Sequence, residues 1–69
     1  MGRDTEVRNA FNMVIGWVRD FGDRLTATHI RKGYVGSYTK NSNITVDKTG
    51  KIYCFGDGCQ DLIRQADKE

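Results

Sequence analysis

Two cysteines flank a Gly-Asp-Gly turn in the stretch Cys54-Phe55-Gly56-Asp57-Gly58-Cys59, and three chemistries could use such a pair. A zinc site needs four ligands, usually Cys paired with further Cys or His. Here His29 is the only histidine, so a carboxylate such as Asp57 would have to complete the set, or a dimer would have to pool its ligands. A redox pair is spaced C-x-x-C at the start of a helix that follows a strand. The spacing found is C-x4-C, although a strand, a turn and a helix do follow one another here. The third use is plain burial, since free Cys behaves as a small hydrophobe and is among the residues most often buried. Cys54 shares a pleat face with Ile52, and Cys59 shares a helical face with Leu62 and Ile63, so period alone turns both sulfurs inward. Burial therefore ranks first, redox second and metal third.

Other reactive groups lack partners. His29 has no nucleophile in a triad-like arrangement, and Ser37 and Ser42 fall in strand or loop contexts. A lone His in a polar segment reads as a surface or capping residue. The Gly56-Asp57-Gly58 turn has too few glycines and no following Lys for a phosphate loop, and too few oxygen ligands for a calcium loop. Asp57 reads as a turn and cap residue. The chain carries no enzyme motif, and no catalytic residue, metal ligand or cofactor is assigned.

The elements that must position these residues follow from hydrophobic period. Val7, Ala10, Phe11, Val14, Ile15, Val18 and Phe21 recur at steps of three and four, which predicts an N-terminal amphipathic helix. Asp4 or Thr5 would cap it and Gly22 would end it. Met13 and Trp17 widen its apolar stripe. Residues 23–33 carry mixed signals. Asp23 could cap a short helix ending at Gly33, while Thr and β-branched residues argue equally for a strand; a short helix or turn is the reading adopted. From Tyr34 the period becomes two. Strands are expected at 34–39, 43–47 and 51–55, with Asp47-Lys48-Thr49-Gly50 as the turn of a hairpin. Asp57 or Gly58 then starts a C-terminal short helix with Cys59, Leu62, Ile63 and Ala66 inward. The predicted fold class is α+β: N-terminal helix, an uncertain short helix or turn, a three-stranded antiparallel sheet and a C-terminal helix, in one domain spanning 1–69.

Composition bounds the function. Sixty-nine residues, 29% charged and 38% apolar, suit one small globular domain and not a disordered or membrane-type chain. A core this small yields about 3–5 kcal/mol, which makes self-association an expected supplement. No apolar run nears the roughly 20 residues that cross a bilayer. The opening residues lack the apolar run of a secretory signal, and Glu6 stands where a myristoylation pattern wants Ser or Thr. The expectation is a cytoplasmic protein with reduced thiols and no membrane partner.

Charge is unevenly placed. Residues 1–23 hold three basic and four acidic groups, net −1. Residues 24–53 hold six basic groups and only Asp47, net +5, and residues 54–69 hold two basic and four acidic, net −2. Tyrosines interleave with the basic stretch. Cations beside rings on a sheet face can bind single-stranded nucleic acid, and Arg31, Lys32, Tyr34, Tyr38, Lys40, Lys51 and Tyr53 would form that surface. The bland account is that Tyr is a good strand former and that Lys protects strand edges. A wide helical stripe with Met13 and Trp17 instead suggests a protein interface, as exposed apolar patches mark partner or self-association sites. The leading expectation is a small non-catalytic binding module acting through protein contact, including as a homodimer. Nucleic-acid binding stands second, and thiol redox or zinc chemistry at Cys54 and Cys59 third.

Overall fold

A computed structural model describes residues 3–68 of the chain. Six strands run in order: β1 (Arg3–Arg8), β2 (Val14–Asp20), β3 (Arg24–His29), β4 (Gly33–Thr39), β5 (Ile44–Asp47) and β6 (Ile52–Phe55). They form one antiparallel meander in which every strand pairs with its sequence neighbour. One helix, α1 (Cys59–Lys68), follows and packs across β1–β4 on a single face of the sheet.

This corrects the predicted fold class. There is no N-terminal helix: residues 3–20 are the first hairpin of a six-stranded sheet, and residues 24–29 are its third strand. The strands expected at 34–39, 43–47 and 51–55 are only the second half of that sheet. Local chemistry explains the first hairpin. Thr5 and Val7 alternate with Asp4, Glu6 and Arg8, a period of two. Asn9 then makes the turn, its Oδ1 accepting from the backbone N–H of Phe11 and of Met13 (2.9 and 3.0 Å). Asn12 takes a positive φ of 62°, which short polar side chains tolerate. The three-and-four spacing of apolar residues arises because the count crosses a turn and a β-bulge. Glycine in a helix interior costs about 1 kcal/mol against Ala, and Gly16 together with Val14, Ile15 and Val18 was the signal against a helix.

Three bulges shape the sheet. The register shifts where Ile15, Val35 and Tyr53 lack a cross-strand partner. In each case the extra residue and its successor both lie on the α1 side of the sheet. Ile15 and Val35 are buried there, followed by Gly16 and Gly36. Those glycines form the floor on which α1 rests. A Cβ at Gly16 would lie 2.8 Å from Ile63 Cγ2, and one at Gly36 would collide with Leu62 Cδ1 and the Val46 carbonyl.

The core lies between sheet and helix: Val7, Ile15, Val18, Ala27, Val35, Cys59, Leu62, Ile63 and Ala66, with Leu25 and Tyr38 packed against it. The helix presents Cys59, Leu62, Ile63 and Ala66 at steps of three and four. Asp57 caps it by accepting from the Cys59 N–H at 3.1 Å. The link from β6 to α1 is fastened by Thr45, which is fully buried. Its hydroxyl donates to the Gly56 carbonyl and accepts from the Gly58 N–H at 2.9 Å.

Candidate interaction surface

Because α1 covers one face, the pleat assigns the other face to solvent. Cross-strand pairing sets three rows on that open face. Glu6, Trp17, Thr28 and Tyr34 form one row, and Asp4, Arg19, Thr26, Ser37, Val46 and Ile52 form the next. Arg24, Thr39, Ile44 and Phe55 form the third.

The rows change character across the sheet. On β1 and β2 the face is charged and internally paired: Arg19 meets Asp4 at 3.0 Å and Arg8 meets Glu6 at 3.2 Å. The hydrogen bond and charge of Asp4 hold the Arg19 guanidinium above its ordinary pKa. The centre carries the hydroxyls of Thr26, Thr28, Ser37 and Thr39. On β5 and β6 the face is apolar, with Ile44 and Val46 half-buried beside Ile52 and Phe55, which are 59% and 78% exposed. Tyr34 adds a 49% exposed ring on β4. Ile44, Val46, Ile52 and Phe55 take the side of the β5–β6 hairpin away from α1, so nothing from the helix layer shields them from water.

The two residues expected to form a protein interface separate. Trp17 sits on the open face, half-buried between Glu6 and Thr28. Met13 lies in the β1–β2 turn, where it lines a groove at the end of the sheet with Ile30, Arg31 and Asp67. Sequence reasoning missed Ile44, Val46, Ile52 and Phe55 as surface residues. It read Ile52 as core because it took Ile52 and Cys54 to share a pleat face. The bulge at Tyr53 breaks that parity: Cys54 faces α1 and Ile52 faces water.

The seven residues expected to contact nucleic acid are not brought together. Only Tyr34 lies on the open face. The bulge at Val35 moves Tyr38 to the α1 side, where it packs on the core and its hydroxyl donates to Asn43 Oδ1 at 2.8 Å. Tyr53 also lies on the α1 side, where it lines a groove of about 200 Å³ with Lys32, Lys48 and Leu62. Burial, then the Asp61 charge, raises its phenol pKa. Arg31 pairs with Asp67 at 3.2 Å, and Lys40 with Asp20 at 3.5 Å at the opposite end of the sheet. Lys51 is exposed in the β5–β6 turn, its backbone N–H donating to Asp47 Oδ1 at 3.1 Å. That carboxylate also accepts from Thr49 and is held below its usual pKa, the Thr49 hydroxyl being the chief cause.

The cysteines are accounted for by packing. Cys59 is fully buried at the start of α1, its sulfur 3.9 Å from the Leu25 carbonyl. Burial first, then the Asp57 carboxylate, pushes its thiol up to about 12, which opposes the thiolate a reactive cysteine needs. Cys54 is half-buried and lies against Gly58, where a Cβ would crowd its sulfur. Both are free thiols. Among the described residues no three His, Cys, Asp or Glu side chains come together as a ligand cluster.

His29 is not a surface residue: it is 1% exposed beneath α1. Its Nδ1 accepts from the backbone N–H of Arg31 and of Lys32 at 3.1 and 3.3 Å. The ring proton therefore sits on Nε2, which donates to Asp67 Oδ1 at 3.0 Å. This neutral imidazole ties the end of α1 to the β3–β4 turn. Both ring nitrogens are used in these bonds.

Among the described residues no helix is long and apolar enough to cross a membrane. Comparisons with known proteins find no matching family model, no matching curated relative and no matching solved structure.

Proposed function

We propose that this protein is a small non-catalytic binding module that contacts another protein through the open face of its sheet. One observation carries this reading: the uncovered pleat of the β5–β6 hairpin presents Ile44, Val46, Ile52 and Phe55 together, beside Tyr34. Antiparallel sheets that face water on one side normally show polar residues there. Leaving this block wet forgoes about 25 cal/mol for each Å² of apolar surface that a partner could cover. Aromatic and aliphatic side chains on rigid strands suit the centre of an interface, and the Thr and Ser hydroxyls and paired charges suit its rim.

The test is capture from the lysate of the native host with tagged native chain and with Phe55→Asp. A protein retained by the native chain, insensitive to nuclease and lost with Phe55→Asp, is the expected result. Equal recovery by both chains would refute the use of this face. A capture that vanishes on nuclease treatment would place the binding with nucleic acid.

A further inference from the structure

We infer that the occupant of the open face is a second copy of this chain, packed sheet to sheet about a twofold axis that runs across the strands. The inference rests on the reading above that the open face is a protein-contact surface.

Size is the first argument. The molecule measures 33 × 27 × 17 Å, and the short dimension is the stack of helix on sheet. The open face thus projects about 700–900 Å², close to the roughly 800 Å² that each partner contributes to a standard interface. A chain of 69 residues with only one helix over one sheet face has a one-sided core. A second sheet laid on the first at a spacing of about 10 Å would complete a sandwich.

Charge layout is the second argument, and it selects the axis. On the β1–β2 part of the face two acids, Asp4 and Glu6, are each paired with an arginine, so that half carries no net charge. A twofold parallel to the strands would lay β1 of one copy over β6 of the other. Four charged side chains would then be desolvated against Ile44, Val46, Ile52 and Phe55, at a cost that apolar contacts do not return. A twofold across the strands lays like strand over like strand. The apolar hairpins cover each other, and the β1–β2 parts of the face, each already neutralised by its own ion pairs, meet each other instead of the apolar block. Such a contact is isologous, so it closes at two subunits.

Edge pairing is the competing way for two sheets to meet, and the edges resist it. Strand β6 has four residues, a bulge at Tyr53 and Lys51 just before it, all features that blunt an edge. Strand β1, the other edge, carries charge at alternate positions.

Trp17 is the only tryptophan, and its place on the open face makes it a reporter. Sedimentation equilibrium of the native chain from about 1 µM to 1 mM, with Trp emission and iodide quenching read at each concentration, tests the inference. The expected result is a mass approaching twice 7.8 kDa. Dilution should return the monomer with red-shifted, more quenchable emission. Phe55→Asp and Ile52→Lys, each checked for native circular dichroism, should weaken the dimer about a hundredfold or more. Should either variant misfold, quenching of the native chain against concentration decides alone. A monomer throughout the range overturns the second copy as occupant but leaves the capture experiment to judge the face itself. A dimer that survives both variants and leaves Trp17 quenching unchanged overturns both, since another surface would then be in use.

Discussion

Replacing Thr45 with Val keeps the side-chain shape and removes one oxygen, so it isolates the polar work that Thr45 does. In the native chain the buried hydroxyl receives the Gly58 N–H and donates to the Gly56 carbonyl. Gly58 is itself buried, so water cannot replace the lost acceptor. A stranded buried N–H costs about 1–3 kcal/mol, and the lost bond to Gly56 adds about 0.5–1.5 kcal/mol. The extra methyl of Val returns part of this, which leaves a net loss of about 2–3 kcal/mol. A domain of this size shifts by roughly 4–8 °C per kcal/mol, so Tm should fall by about 10–20 °C. Thr45→Ser keeps the hydroxyl and loses one methyl, and should cost only about 1 kcal/mol. Thermal melts by circular dichroism give the magnitudes, and amide exchange at Gly58 gives the location. The reasoning fails if Val is as stable as Thr, or if Ser is as damaging as Val.

Three further outcomes test other parts of the structure. Gly36→Ala sets a Cβ against Leu62 Cδ1 and the Val46 carbonyl, and backbone cannot yield; α1 must lift, at about 1–3 kcal/mol in a urea titration, and a neutral result would contradict the close approach of helix to sheet. The Cys59 thiol is raised from 9.0 to about 12 in the fold. Between those values the unfolded chain gives up its proton first, so stability is full below pH 9 and falls as pH rises toward 12. Melts from pH 8 to 11 should show this loss in the native chain and a smaller one in Cys59→Ala; parallel curves would refute it. Asp67→Asn keeps an acceptor for the neutral His29 Nε2–H and should cost little, whereas Asp67→Ala strands that buried donor and should cost about 1–3 kcal/mol. If Asn and Ala cost the same, charge rather than the hydrogen bond holds α1 to the β3–β4 turn.

The C-terminal half was legible in the sequence because its signals are local. Asp47 and Gly50 make a turn through contacts within four residues: Asp47 Oδ1 accepts from nearby backbone, and Gly50 takes a φ of 90°. The apolar spacing of Cys59, Leu62, Ile63 and Ala66 specifies one face of α1 without reference to anything distant, and the same spacing buries Cys59. The N-terminal third misled for the opposite reason. Val7 through Phe21 carry helical spacing, yet Thr5 pairs with Val18 and Asp20 with Leu25. Backbone hydrogen bonds to a neighbouring strand outweighed a helical pattern.

What the sequence by itself determined is the Asp47–Gly50 turn, the cap that Asp57 puts on α1 and the burial of Cys59. Tertiary structure alone decided which side of the sheet each strand residue takes. Side-chain direction along a strand has a period of two, so one unpaired residue inverts every direction beyond it. The bulges at Ile15, Val35 and Tyr53 are set by pairing with β1, β3 and β5, not by the residues themselves. They put Tyr38 and Tyr53 on the helix side and left Ile52 and Phe55 in water.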